Sequence, residues 1–239
     1  MAGRYWRIAS GLLFVPVAVV GVAGCSNGTS TAPASTAKAP STAKAPSSAG
    51  FTAAKLRSAL LTQVNGVAAA APASSGKYSA LSAANTSKQG ANAAQVTPKT
   101  CAGTATGFNP TVLAGAPAAA VAFQVAANGV SEVLIASSAK SASTVLAGQI
   151  PAECAKYQGK VAGKTYTYGT TEQAVTGIGE QARVLNVQRA GAKSADLWSL
   201  IYRGKGFVGT VTVVGPNASK KAVTELGQQA YAFAVKSLS

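Results

Sequence analysis

Hydrophobic and polar positions divide the chain into stretches of different period. Residues 8–22 are apolar almost throughout, with Gly11 and Pro16 inside the run. From Ser26 to Gly50 large apolar residues vanish, and Ser, Thr, Ala, Lys and Pro take over. Phe51, Ala54, Leu56, Ala59, Leu60 and Val64 then recur at close to helical spacing, flanked by Lys55 and Arg57, which predicts a first helix over 51–64. Residues 66–100 are rich in Ala, Ser and Asn, carry few large apolar side chains, and read as loops with at most one short helix.

From about Ala118 the period falls to two. Val121, Phe123 and Val125 alternate with small or polar neighbours in AAVAFQVA, and SEVLIASS follows. Asn128-Gly129 lies between the two runs; both residues tolerate positive φ, so the dipeptide predicts a hairpin turn. Ser141 to Tyr157 reads as helix in two pieces, broken at Pro151. GKTYTYGTTEQAV, RVLNVQR, DLWSLIYR and FVGTVTVV read as four more strands, with Trp198, Leu200 and Tyr202 on one face of the third. Gly204-Lys205-Gly206 turns the chain between the last two. Asn217 to Leu238 closes the chain as an amphipathic helix. Asn217 is its expected cap, Lys236 suits its negative end, and Val223, Leu226, Ala230 and Phe233 form its inner stripe. The expected fold class is α+β: a mainly antiparallel β-sheet packed against N-terminal, middle and C-terminal helices.

The start of the chain predicts its address. Arg4 and Arg7, the short apolar run and the small residues after it have the layout of a secretory signal peptide over 1–24. The run is shorter than the roughly 20 residues of a spanning helix, holds a proline, and has no basic stop-transfer cluster after it. Val22-Ala23-Gly24-Cys25 resembles the bacterial lipobox, with Val22 where Leu is usual. That resemblance implies a diacylglyceryl group on the Cys25 sulfur, cleavage just before it, and palmitate-type acylation. Each buried methylene contributes about 0.8 kcal/mol and stable anchoring needs two chains, which a diacylglyceryl group supplies. Residues 25–50 are then a lipidated cysteine and a disordered tether, with STAKAP repeated at 35–40 and 41–46. Such a coil spans roughly 25–30 Å on average and about 80 Å fully extended. Residues 51–239 form one α+β domain. The expected location is the extracytoplasmic face of the cell membrane.

Cys101 and Cys154 remain after Cys25 takes lipid. Two cysteines in an exported chain most simply pair as a disulfide; the alternative is a reactive thiol pair, for which no C-x-x-C is present. The chain has no histidine, which removes Ser-His-Asp and Cys-His catalysis and nearly all zinc enzymes. Its six acidic residues are Glu132, Glu153, Glu172, Glu180, Asp196 and Glu225. A paired-carboxylate site would need two of them in one cleft, with Glu132 facing Asp196 or Glu180; the plainer expectation is solvated charges at sheet edges. No calcium loop of alternating Asp and Asn is present. Gly177 to Ala182 matches G-x-G-x-x-A, yet a strand follows where a helix is needed, so it reads as a glycine turn. The S-x-x-K motifs at Ser35–Lys38 and Ser41–Lys44 fall in the tether, and Ser137–Lys140 lacks the S-D-N and K-T-G partners of penicillin-binding enzymes.

Charge points to partners. The full chain carries 21 basic and 6 acidic residues; losing Arg4 and Arg7 leaves 19 and 6, a net +13. Lys160, Lys164, Arg183, Arg189, Lys193, Arg203 and Lys205 cluster in the strand region as a possible anion-binding face; the alternative is a dispersed basic surface. Outside a cell, such a protein meets anionic headgroups, anionic wall polymer or other envelope proteins; nucleic acid is not an expected partner.

The run PAECAKY at 151–157, the turn GIGEQA, the run RGKGFVGTVTVVG and the closing helix resemble the extracellular sensor domain of the mycobacterial serine/threonine kinase H family. Actinobacterial lipoproteins that carry such a domain alone, behind a lipobox and a Ser/Ala/Pro tether, are similar, and the Ala-rich composition fits that source. The resemblance covers roughly residues 118–239. It implies an antiparallel sheet with helices, a cleft beside the sheet, and sensing or binding of an envelope ligand. Cys101 and Cys154 match one disulfide of that pattern; the second pair usual in the kinase is absent. No kinase segment accompanies the domain, so signalling in cis is not expected.

The expectation is therefore a membrane-anchored extracytoplasmic lipoprotein with a non-catalytic, sensor-like domain and no cofactor or metal. One alternative is a carrier of a hydrophobic ligand such as a lipid, held in a sheet–helix cavity. Another is a hydrolase using Ser137 and Lys140.

Overall fold

The computed structural model describes residues 50–81, 95–101, 110–161, 163–191 and 196–239, all within the unit Lys44–Ser239. The expected signal peptide, Cys25, most of the expected tether and Lys193 lie outside the described residues. Three helices are described: α1 (Ala53–Ser58), α2 (Ala139–Ala147) and α3 (Lys220–Leu238). Eleven strands accompany them. They are β1 (Gln63–Val64), β2 (Val67–Ala68), β3 (Ser74–Lys77), β4 (Gln95–Thr97), β5 (Pro117–Val125), β6 (Asn128–Ala136), β7 (Lys156–Val161), β8 (Lys164–Val175), β9 (Gln181–Arg189), β10 (Asp196–Gly204) and β11 (Phe207–Gly215). β1 and β2 form a small hairpin, and the other nine make one sheet in the order β3-β5-β6-β11-β10-β9-β8-β7-β4. Every neighbouring pair is antiparallel, as expected of strands joined by short turns.

The register runs without slippage across the sheet, so residue parity assigns each side chain to a face. The front face carries Val121, Phe123, Leu134, Val184, Leu200, Tyr202, Phe207 and Val211 in one buried cluster, closed by Leu56, Ala59 and Leu60 of the α1 segment and Val223, Leu226, Ala230 and Ala234 of α3. The back face carries Ala118, Val133, Ile135, Ile201 and Val208, packed on Ala142, Val145 and Leu146 of α2. Further along the back, Val96, Tyr157, Leu185 and Val187 surround the Cys101–Cys154 disulfide, whose Cα atoms are 5.3 Å apart. The bond pins the turn after β4 to the turn before β7. Closing its 53-residue separation contributes about 4 kcal/mol in the chain-entropy picture.

Several expected boundaries move, each for a local reason. The first helix stops at Ser58 rather than continuing to Val64, because Asn65 (φ +51) and Gly66 (φ +77) fold residues 63–68 into the β1–β2 hairpin. Within 66–100, expected as loops, β3 and β4 supply the two short edge strands of the sheet. The β5–β6 turn is Ala126-Ala127, with Ala126 at φ +52, two residues before the expected Asn128-Gly129. Asn128 is drawn into β6 because that strand extends to pair Gly129 with Val214 of β11, and its Oδ1 accepts the Asn217 backbone N–H at 3.2 Å. The second helical piece before Tyr157 is a single tight turn, Ala152–Cys154; Tyr157 belongs to β7 and stacks on Tyr168 of β8 with centroids 5.4 Å apart. Ser219, not Asn217, caps α3 by accepting from Ala222 N–H, and Ala234 rather than Phe233 completes the buried stripe. The Lys205-Gly206 turn forms as expected, with Gly206 at φ +85.

Candidate functional site

The two helical covers leave part of the front face bare. α1 packs on β3, β5 and β6, while α3 packs on β10 and β11 and meets the near edge of β9. α3 reaches only one end of β8, where Lys220 Nζ donates to Gln173 Oε1 at 2.5 Å; beyond that, neither α1 nor α3 packs on the front of β7 and β8 or the far end of β9. There the strands alternate polar and exposed against buried. Lys156, Gln158 and Lys160 point forward while Tyr157 and Gly159 are buried, and Thr171 and Gln173 are exposed around a buried Thr170. The result is a shallow trough of about 400 Å³, with a floor of Lys156, Thr167, Gly169, Thr171, Asn186 and Gln188. A second depression of about 370 Å³, lined by Thr97, Tyr157 and Gln158, shares Lys156 and Thr167 with it. Gly169 leaves the middle of the trough open: a Cβ there would meet nothing nearer than Gln188 O at 4.0 Å. Asn186 is held from below, its Nδ2 donating to Leu197 O at 3.2 Å. The trough therefore presents hydroxyls, carboxamides and a lysine ammonium, with Arg189 at the end of β9 on its rim and no carboxylate in its lining.

The basic residues singled out in the sequence do not gather on one face. Lys160 shares the front face with Lys156, whereas parity puts Lys164 and Arg189 on the back. The Arg189 guanidinium lies over the Tyr166 ring, 4.7 Å from its centroid. Lys205 sits in the β10–β11 turn. Arg183 and Arg203 are committed to structure. Arg183 pairs with Glu172 and donates to Gly148 O and to Val145 O, the carbonyls at the end of α2. Glu172 in turn accepts the Ile150 N–H at 3.1 Å. Arg203 pairs with Glu180 at 2.7 Å and donates to Ser143 Oγ of α2, also at 2.7 Å. Both arginines fasten the middle helix to the back of the sheet. Charge alone does not reveal the trough residues, because most of them are uncharged. The available signal was the polar alternate positions in GKTYTYGTTEQAV, where a strand covered on both faces would carry apolar ones.

The acids also depart from expectation. Glu172 and Glu180 are in the ion pairs above, and Glu225 lies 3.8 Å from Lys221 on α3. Glu132 is not a solvated edge charge: it is 1% exposed in the middle of β6. Its strand faces the core, so the side chain that should be apolar there is a carboxyl. Burial pushes it up to about 7, partly opposed by the Leu61 backbone N–H that its Oε2 accepts at 2.8 Å. Tyr202, on the same face, is held well above its usual range by burial and by the neighbouring Glu132 and Tyr231. Sealed from solvent, Glu132 meets no second carboxylate among the described residues, so it builds no glycosidase pair there.

Geometry also bears on the alternatives. Ser137 is 2% exposed and its hydroxyl donates to Ser138 O, while Lys140 points to solvent on the first turn of α2; the two do not converge. Between α3 and the sheet, a Cβ at Gly227 would lie 2.4 Å from Leu200 Cδ2, so the layers a lipid would have to separate are in direct contact. The G-x-G-x-x-A segment is a turn: Gly177 and Gly179 have positive φ, Ile178 is buried in the front core, and Glu180 N–H donates to Arg203 O. Gly179 passes so close to Arg203 O that a Cβ would lie 2.2 Å away.

No described protein family matches the chain, and no curated protein matches it. Among solved structures it is similar to the extracellular domain of PknH from Mycobacterium tuberculosis, at 14% identity and TM-score 0.41, over 61% of this chain and 77% of that one. It is also similar to an Rv0999 ortholog from Mycobacterium smegmatis, at 18% identity and TM-score 0.35, over 60% of this chain and 75% of the other. The first is the domain type whose motifs the sequence resembles. Among the described residues, no helix is long and apolar enough to cross a membrane.

Proposed function

We propose that this chain is a lipid-tethered, non-catalytic binding domain on the extracytoplasmic face of the membrane, and that its ligand lies in the front trough of β7–β9. The lipobox-like Val22–Cys25 supplies the anchor and the Pro/Ala/Ser stretch supplies the reach. The observation that carries the reading is the trough itself: a bare sheet surface beyond the α3 cover, lined by Thr, Asn, Gln, Lys156 and Arg189 and free of carboxylates in its lining. Such a surface suits a hydroxyl-rich chain bearing negative charge. An anionic wall polymer has that chemistry: its hydroxyls exchange hydrogen bonds with the carboxamides, and its phosphates or carboxylates meet Lys156 and Lys160. Proline-interrupted length between lipid and domain keeps the trough near the envelope layer where such polymers lie.

The test is an NMR titration of the isotope-labelled protein with a soluble polyol-phosphate polymer at two salt concentrations. The expected shifts centre on Lys156, Thr167 and Gln188 and shrink as salt rises. Lys156→Glu is expected to abolish them without changing stability. Shifts centred on Lys205, or shifts indifferent to Lys156→Glu, would refute the site.

A further inference from the structure

The Glu132 carboxyl sits where the incoming chain meets the centre of the sheet. Glu132 pairs with Val121 of β5 on one side and Val211 of β11 on the other. Its Oε2 accepts the Leu61 N–H, and its Oε1 has no hydrogen-bond partner among the described residues. Leu61 follows directly on α1, whose Leu56, with Ala59 and Leu60, is packed into the front core. That segment leads back through Thr52, the α1 cap, to the tether. The Glu132–Leu61 hydrogen bond thus adds a carboxyl-to-amide link to the apolar packing that holds the tethered end of the domain on the sheet.

Among the described residues, the groups around Glu132 supply no cation. β10 contributes Tyr202, whose hydroxyl is buried and without a partner among the described residues. Behind it, α3 contributes Tyr231, its ring 5.7 Å from that of Tyr202 and edge-on. β5 and β11 contribute Val121 and Val211. The α1 cations Lys55 and Arg57 are exposed on the far side of their helix. An apolar pocket with one backbone donor suits a neutral carboxyl. A carboxylate there would have one partner for its several acceptor positions.

We propose that Glu132 is a proton-operated latch: neutral, it holds the α1–Leu61 segment on the sheet; ionised, it releases that segment. The sign follows from the two states. With the segment docked, burial holds the carboxyl up to about 7; with it lifted, water reaches the group and its ordinary 4.5 returns. Below pH 4.5 both states are protonated and the balance is flat. From 4.5 to about 7 only the lifted state ionises, so docking weakens as pH rises; above 7 both are ionised and the balance is flat again. Between pH 5 and pH 8 the lifted-to-docked ratio should rise on the order of 50- to 100-fold. The chain has no histidine, so no other side chain of ordinary pKa titrates in that window. The joint between tether and domain is then firm in acid and loose at neutral pH.

The test is amide hydrogen exchange on the whole protein from pH 5 to pH 8, corrected for the intrinsic pH dependence of exchange. Protection at Leu56, Leu60 and Leu61 is expected to fall by that factor relative to β10 and β11 amides, and Glu132→Gln is expected to flatten the difference. A pH-independent difference in the native chain, or an equal slope in Glu132→Gln, overturns the latch. Should Glu132→Gln not fold, the native chain decides alone. A Glu132 carboxyl carbon and Leu61 amide titrating together near pH 7 support the latch, and a midpoint near 4.5 overturns it.

Discussion

Replacing Arg183 with Met separates the two roles open to this residue, anion binding and structure. The guanidinium reaches from β9 to the end of α2, engages Glu172 and donates to Gly148 O and Val145 O. The two side chains are 12% and 19% exposed, so the pair is close to buried. Removing one partner of a buried pair costs about 3–5 kcal/mol, chiefly through the charge left behind. Glu172 keeps the Ile150 N–H, which places the loss near the lower end, about 3 kcal/mol. Uncapping the α2 carbonyls adds roughly 0.3–1 kcal/mol. With a urea dependence of about 2 kcal/mol per molar for a domain of this size, the unfolding midpoint should drop by about 1.7–2 M. Urea unfolding followed by tryptophan fluorescence measures it. The double variant Arg183→Met/Glu172→Gln should recover part of the loss, because it removes the stranded charge as well. Polymer binding at the trough should be unchanged at temperatures where the variant is folded. A variant of normal stability that no longer binds anions would show that Arg183 serves a ligand and that the structural reading is wrong.

Other perturbations have equally definite outcomes. Cys154→Ser opens the 53-residue loop and should cost about 4 kcal/mol in chemical unfolding; a loss below about 1 kcal/mol would mean the back-face cluster holds the turn without the bond. Gly227→Ala should destabilise the protein by about 1–2 kcal/mol, although alanine gains about 1 kcal/mol in an isolated helix, because its Cβ would meet the fully buried Leu200 at 2.4 Å. A rise in melting temperature would show that α3 rides more loosely on the sheet. Cys25→Ser should move the protein from the membrane pellet to the soluble fraction of fractionated cells and remove the lipid mass from the product; continued membrane partition would refute the anchor.

Which elements were legible follows from where their signal lies. Strands β8–β11 and α3 are readable because alternation and helical spacing are local, and each run is long enough to repeat its period several times. The Cys101–Cys154 bond is readable because few partners exist. Asn65-Gly66 carried the same turn signal that was assigned to Asn128-Gly129; the first is a turn and the second is not. The dipeptide permits a turn, and pairing with β11 decides whether one is used. Edge strands β3 and β4 carry three to four residues each, too few to display a period, so only their neighbours in the sheet define them.

By itself, the amino-acid sequence determined the kind of fold, the pairing of Cys101 with Cys154 and the absence of histidine. Tertiary structure alone decided which side each charge faces. Arg183 and Arg203 bind α2 to the sheet rather than an external anion, Glu132 is sealed inside, and Lys156 borders a trough that no described helix covers. The physical reason is that period and propensity act between residues close in the chain. A charge's environment is set instead by strands brought together from far apart, as Glu132 is by Val121, Val211 and Leu61.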